Sequence, residues 1–247
     1  MTADSTNDIR CLKAIGRVCA ETLRRMMNLT RAGMTTRELD EIGRSFLEAE
    51  GARSAPQVTY RFPTATCISV SPVIAHGIPN ERVLREGELI HIDVSAELDG
   101  YYADTGASLV VSKRERNLEK LLDATRTALT KALHAAKAGN PLNGISRAVQ
   151  NEARKRGYNV ITDLTGHGIG RGLHEDPQEI LNYYDPKDRR ILTEGLVLAI
   201  EPFLTPGIGR VTKERDGWSL RTTDHAIAAQ FEHTIVVTRN EPIVLTQ

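Results

Sequence analysis

The chain has 247 residues, 40% of them hydrophobic and 26% charged, and its 32 basic and 32 acidic side chains leave a formal net charge of zero. Such a composition is that of a globular protein with room for a large core. It argues against a nucleic-acid or membrane surface acting through bulk charge, and no apolar run reaches the length of a membrane span. The segment Met1-Thr2-Ala3-Asp4-Ser5 is polar and lacks the apolar stretch of a secretion signal. Cys11, Cys19 and Cys67 are odd in number and show no metal-ligand spacing. They are expected to be reduced thiols in a cytoplasmic protein.

Leu12, Ile15, Val18, Thr22, Leu23 and Met26 recur at helical spacing, which predicts an amphipathic helix over about residues 8 to 28. Ala32-Gly33 ends it. Thr35-x-x-Glu38 reads as a capping box for a second helix carrying Leu39, Ile42 and Phe46-Leu47 and stopping at Gly51. Beyond Ser54-Ala55-Pro56 the pattern turns to strands, Cys67–Val70 and Val73–Ala75, followed by a turn at His76-Gly77-Ile78-Pro79. Two strand-like runs then flank Asp99-Gly100, a strong hairpin signal. With those two residues as the loop, Leu98 faces Tyr101, Asp93 faces Gly106 and Asp104 faces Ser95. Asp93 and Asp104 are therefore diagonal neighbours on one face. Two carboxylates that close need a shared proton or a cation between them, unless the face is solvated.

The second half repeats the first. Leu118, Leu121, Leu122, Leu129 and Leu133 mark another long helix, which ends at Lys137-Ala138-Gly139. Gly139 lies 106 residues after Gly33, and Gly157 lies 106 residues after Gly51. Asn140-Pro141 is expected to supply a cap and a first-turn proline for the helix between them. Strands are expected at Asn159–Thr162, Leu196–Ile200 and Ala226–Val237. The chain is thus read as α+β: one domain spanning 1–247, made of two helix-helix-strand halves (about 8–112 and 115–245) related by a pseudo-two-fold axis.

The marked segment of the second half is Gly166-His167-Gly168-Ile169-Gly170-Arg171-Gly172-Leu173-His174-Glu175-Asp176-Pro177. A phosphate cradle is one reading of its glycines, but the P-loop Lys-Ser/Thr is missing. Framing histidines fit a metal or acid–base site better. Glu201 ends the apolar run Leu196–Ile200, and Glu232 lies inside Ala228–Val237. A buried ionised carboxylate costs several kcal/mol unless it is paired or metal-bound. A salt bridge is the bland alternative for either glutamate alone. For Asp93, Asp104, Glu201 and Glu232 together, with His167, these strands hold too few basic residues. Such a donor set suits Mn, Fe, Co or Zn, and its four carboxylates are enough for two divalent ions acting in hydrolysis.

With these residues assembled, the chain resembles the type I methionine aminopeptidases, two-metal peptidases of the pita-bread fold. The resemblance rests on His76-Gly77-Ile78-Pro79, Ile92-Asp93-Val94, Asp104-Thr105, Gly166–Gly172 with His174-Glu175-Asp176-Pro177, Ile200-Glu201-Pro202, Asp216-Gly217-Trp218 and Gln230-Phe231-Glu232-His233-Thr234. It implies one curved, mostly antiparallel sheet with helices on its outer face. It also implies roles. Asp93 would chelate one ion, Asp104 and Glu232 would bridge both, and His167 and Glu201 would complete the other site. Glu201 would also take a proton from the water between the ions. His174 would hydrogen-bond the scissile amide, and His76 would line the cleft. Phe62, Cys67, Leu173 and Trp218, with Tyr60 nearby, match the methionine side-chain pocket.

The implied substrates are N-terminal methionyl peptides and nascent chains with small second residues, cleaved by a monomer that works in the cytoplasm, with the ribosome a candidate partner and no membrane association. Glu201 and Glu232 are only 31 residues apart, which leaves no room for the subdomain inserted in type II enzymes, and no zinc-binding extension is expected before the first helix. Ser71-Pro72, Ala75 and Leu173 depart from common family residues, and none of them is a ligand. The first of these leaves open a carbonyl-bound monovalent cation near Ser71–Val73. Proline-directed peptidases of the same fold share the five ligands, so the ligands do not discriminate. The His174-Glu175-Asp176-Pro177 context and the short chain favour methionine. A catalytically dead member of the fold would be expected to have lost ligands, and all five are here.

Overall fold

A computed structural model of the chain describes residues 1–113 and 115–247. In chain order the elements of the first half are α1 (Thr6–Leu29), α2 (Thr36–Ala49), β1 (Arg53–Ser54), α3 (Ala55–Tyr60), β2 (Cys67–Val70), β3 (Val73–Ala75), β4 (Leu89–Leu98) and β5 (Tyr101–Val110). The second half begins with α4 (Arg116–Ala135), α5 (Asn143–Lys155), β6 (Asn159–Val160), β7 (Thr165–Gly168), β8 (Glu175–Leu181) and β9 (Val197–Ile200). It closes with β10 (Phe203–Thr205), β11 (Val211–Lys213), β12 (Leu220–Thr222), β13 (Ala229–Gln230), β14 (His233–Val236) and β15 (Ile243–Val244).

Local chemistry sets most helix boundaries. Ser5 and Asp8 form a capping box at α1, and Thr35 and Glu38 form the expected one at α2. Gly51 and Gly157, with φ of +74° and +78°, directly follow the C-caps of α2 and α5, and Gly33 and Gly139, with φ of +92° and +89°, turn the chain four residues beyond the ends of α1 and α4. Two expectations are corrected. Helix α5 begins at Asn143, because Pro141 bridges to Ile191 and Asn140 donates its side-chain amide to the Ala135 carbonyl instead of capping. The stretch after Ser54 is helix α3 before it is strand: Ser54 accepts from the Gln57 N–H and Pro56 sits in the first turn.

The β4–β5 hairpin has the register read from the sequence, with Leu98 opposite Tyr101, Asp93 opposite Gly106 and Ser95 opposite Asp104. Asp99 and Gly100 both have positive φ, 51° and 78°, the conformation of a type I′ turn. β4 also pairs with β1 and β2, and β9 pairs with β7 and β14 in the largest ladder, β15-β14-β9-β7-β8. Every strand pair is antiparallel, and hydrogen bonding divides the sheet structure into four ladders. The halves are stitched along β5. The Ala107–Phe231 bridge, the Glu232 N–H donating to the Gly106 carbonyl at 2.9 Å, and Thr234 Oγ1, which accepts from the Asp104 N–H and donates to its carbonyl, make the seam. The expected single strand Ala226–Val237 is interrupted at Phe231-Glu232, where the chain leaves β10 for β9 and crosses β5.

Ile92, Val94 and Ala96 are fully buried in a core that also contains Leu12, Ile15 and Cys19 of α1 and Ala124, Ala128 and Ala132 of α4. Period-two alternation then sends Asp93 and Ser95 to the opposite face. The helices cover one side of the strands, and the polar residues of β4 and β5 open on the other.

Candidate metal centre and substrate cavity

Asp93, Ser95 and Asp104 of the hairpin share a cavity of about 250 Å³ with His167 of β7, Glu201 just beyond β9, and Glu232 at the break between β13 and β14. All five expected ligands therefore meet at one place, drawn from four separate parts of the chain. Ligand atoms of Asp104, His167 and Glu232 lie within 4.8 Å of one another. His167 Nε2 is 3.5 Å from Glu201 Oε1 and 3.9 Å from Asp104 Oδ2.

The electrostatics of this cluster are uncompensated. Burial, reinforced by the charges of Glu232 and Asp93, pushes the Asp104 carboxyl well above the usual carboxylate range. Burial and the neighbouring carboxylates do the same to Glu201 and Glu232. Burial moves Asp93 up to about 6, against the hydrogen bond it shares with Asp104. His167 is driven the other way, to about 3, by burial and the nearby His174. Among the described residues, Asp104 Oδ1 and Glu232 Oε1 are buried without a hydrogen-bond partner, and no Lys or Arg lines the cavity. Four acidic oxygen donors, one neutral imidazole and two orphaned oxygens fit divalent cations and disfavour a salt-bridge reading of the glutamates.

The rest of the cavity is an apolar wall. Phe62 and Trp218 pack edge to face with ring centroids 5.2 Å apart, and Cys67, Leu173, Pro56 and Tyr60 complete it. Trp218 is presented by a turn between β11 and β12 in which Asp216 accepts from the Trp218 and Ser219 N–H groups and Gly217 has φ of +79°. His76 and His174 stand at the cavity margin. Both side chains keep solvent-exposed surface, and partial desolvation by the surrounding protein pushes them below the ordinary imidazole value, His76 to about 4 with help from His174. The Tyr60 hydroxyl lies 2.7 Å from His174 Nδ1, and the His174 and His167 rings are 4.0 Å apart between centroids.

Every expected site residue thus lines this cavity. Sequence reasoning missed Pro56 and Ser95 as lining residues, and it missed the Tyr60–His174 contact. The Ser54-x-x-Gln57 spacing with Pro56 was the available signal for the first, since it marks the helix that carries Tyr60.

Residues 10–239 match the model of metallopeptidase family M24. The chain belongs to family M24. Within the family it is 46% identical, over the full length of both chains, to a Bacillus subtilis protein named methionine aminopeptidase 2. It is 34% identical to an Aquifex aeolicus methionine aminopeptidase, covering 98% of this chain and 97% of the relative. The solved methionine aminopeptidase of Thermotoga maritima superposes with a TM-score of 0.95 at 33% identity, with full coverage of both chains. A prolidase from Pyrococcus furiosus, 20% identical, superposes with a TM-score of 0.79 over all of this chain and 65% of its own, and so shares the pita-bread fold. Membership of a metallopeptidase family agrees with the carboxylate–histidine cluster. Among the described residues, no helix is long and apolar enough to cross a membrane.

Proposed function

We propose that this chain is a type I methionine aminopeptidase, which hydrolyses the first peptide bond of N-terminal methionyl peptides and nascent chains and prefers a small second residue. The observation that carries the proposal is the junction, in one cavity, of the five-residue donor set with an apolar wall edged by Phe62 and Trp218. Asp93 would hold one divalent ion, His167 and Glu201 a second, and Asp104 and Glu232 both; Mn, Fe, Co and Zn all suit the donors. Bound divalent ions supply Lewis acidity, which acidifies water and polarises a carbonyl. The proposed setting is a monomer acting in the cytoplasm, where newly made chains expose their first methionine, with the whole chain as one catalytic domain.

The protein's own residues supply binding and proton handling. An unbranched thioether fits the apolar wall, where Phe62 and Trp218 offer ring edges and Cys67 a second soft sulfur. Cys67 is buried, and its thiol is pushed well above its usual range by burial and by Asp93, so it is an inert wall group and not a nucleophile. Glu201 would take a proton from the attacking water. With the Tyr60 hydroxyl as donor to His174 Nδ1, the proton of a neutral imidazole would be left on Nε2 to hydrogen-bond the scissile amide. His76, which lines the same cavity, would lie near the second residue of the substrate.

The test is a peptide panel varying the first residue over Met, Leu, norleucine, Ala and Lys, with Ala or Pro second. A lost methylene or thioether contact is worth only ~1–3 kcal/mol in an apolar pocket, so Leu and norleucine peptides are expected to be cut more slowly than Met. A preference for Xaa-Pro over Met-Ala would move the chain to the proline-directed relatives. Equal rates for Lys and Met would place the specificity pocket elsewhere.

A further inference from the structure

Behind Glu232 lies a buried chain of polar groups that the proposed chemistry does not use. Gln230 Nε2 donates to Glu232 Oε2 at 3.1 Å, and Gln230 Oε1 lies 2.6 Å from His91 Nε2. All three side chains are at least nine-tenths buried. The other ring nitrogen, His91 Nδ1, has no partner among the described residues. His91 is on β4, two residues before Asp93 and on the same face, with Ser108 opposite it on β5. The Ser108 hydroxyl accepts from the Gln230 N–H and donates to the Gln230 carbonyl, which fixes the backbone that carries the amide.

The order of donors along this chain has two solutions. In one, His91 carries its proton on Nε2 and donates to Gln230 Oε1, and the Gln230 amide donates to Glu232. In the other, the ring proton is on Nδ1, the amide is turned over, and Gln230 Oε1 faces Glu232 Oε2, so that no hydrogen bond forms between them once Glu232 is ionised, as a cation ligand must be. The unpartnered Nδ1 decides between them. In the first arrangement it is a bare lone pair. In the second it is a buried N–H without an acceptor, and the loss of the Gln230–Glu232 bond is added to that cost. We infer that His91 is a positioning residue for Glu232: held as the Nε2–H tautomer, it locks the Gln230 amide so that one oxygen of Glu232 is tied down and the other, the orphaned Oε1, is left facing the cavity for a cation.

Gly106 leaves room for this chain. A Cβ there would stand 2.7 Å from His91 Nε2 and 2.8 Å from Gln230 Oε1. Phe203 closes the outer side of the His91 ring, with centroids 6.1 Å apart. Hydrogen bonds that orient a ligating carboxylate from behind are worth about 10- to 100-fold in metal affinity.

The inference rests on the reading of Glu232 as a metal ligand, and the experiment separates the two. Nitrogen-15 NMR of the metal-free wild type reads the His91 tautomer directly. Protonation on Nε2 is expected, and protonation on Nδ1 overturns the inference. Calorimetric titration with Mn²⁺ then compares the wild type with His91→Leu and His91→Gln. His91→Leu is expected to bind about 10- to 100-fold more weakly. His91→Gln, which keeps a side-chain N–H donor, is expected to recover most of that loss. Wild-type affinity in His91→Leu, or no recovery in a folded His91→Gln, overturns the positioning role. Absence of Mn²⁺ binding by the wild type overturns the metal-centre reading instead, while the tautomer measurement still stands on its own.

Discussion

His174 stands outside the carboxylate cluster, yet its ring packs on that of His167 and its Nδ1 is taken by Tyr60. In the proposed function a residue placed in this way would serve the reaction and not the binding of the ion. His174→Ala is expected to lower kcat by ~10²–10⁴-fold, the range for a general acid or an oxyanion donor, with metal content by atomic absorption nearly unchanged. Loss of metal in the variant would make His174 a ligand. Tyr60→Phe keeps the apolar wall and removes only the hydroxyl that sets the His174 tautomer. One hydrogen bond is worth about 1 kcal/mol, so kcat is expected to fall about fivefold with KM little changed. A rise in KM at constant kcat would mean that Tyr60 only contacts substrate.

At the scale of elements, the two helix pairs are built from repeat-related parts but are held differently. α2 has a full capping box, whereas α4 has no side-chain cap and α5 starts from Leu142 without one. The second pair has a buried ionic tie in place of the cap. Glu152 of α5, almost fully buried, accepts from Lys131 of α4 and, at 2.9 Å, from Arg156 at its own C-cap. Burial pushes the Glu152 carboxyl up, but the hydrogen bonds from Lys131 and Arg156 outweigh it, and the net pKa lies below the ordinary 4.5. A carboxyl depressed by folding contributes stability that is complete above its unfolded value and is lost as pH falls through its folded value. Stability attributable to Glu152 is therefore constant at neutral pH and fades below about pH 4.5. Glu152→Ala is expected to cost about 1–3 kcal/mol in urea unfolding at pH 7, and the gap to wild type should narrow at pH 3. A cost independent of pH would show that the loss is one of packing.

For the whole molecule, the seam between the halves is also where the acidic groups accumulate. Asp104 and Glu232 sit on the two sides of it, each with a buried oxygen lacking a partner. Without a cation the closed structure keeps this cost, either as repulsion or as protons taken up by the raised carboxyls. A divalent ion should therefore stabilise the fold as well as support hydrolysis. At 100 times its dissociation constant, Mn²⁺ would add about 2.7 kcal/mol, roughly 5–10 °C in Tm for a chain of this size. Chelation should reverse that shift and abolish activity, and Mn²⁺, Co²⁺ or Fe²⁺ should restore both. Asp104→Ala should remove most of the response. An unchanged Tm on adding the ions, or full activity after thorough chelation, would sink the metal centre.

Local rules made much of this protein legible. Asp99-Gly100 set the hairpin and hence the Asp93–Asp104 pairing, because a two-residue turn dictates register. Thr35 and Glu38 marked α2, and the 106-residue spacing of Gly51 and Gly157 exposed the repeat, because left-handed helix ends favour glycine. The acidic residues in apolar runs pointed to a site, because such charges need compensation. What lay beyond reach depended on distant neighbours. Pro141 looked like a helix start until Ile191 claimed it as a bridge partner. The run through Glu232 looked like one strand until β5 took the Glu232 N–H. Tyr60 met His174 across 114 residues, and His91 met Gln230 across 139. No periodicity encodes such contacts, since they exist only once two halves that each hold part of the site have closed on one another.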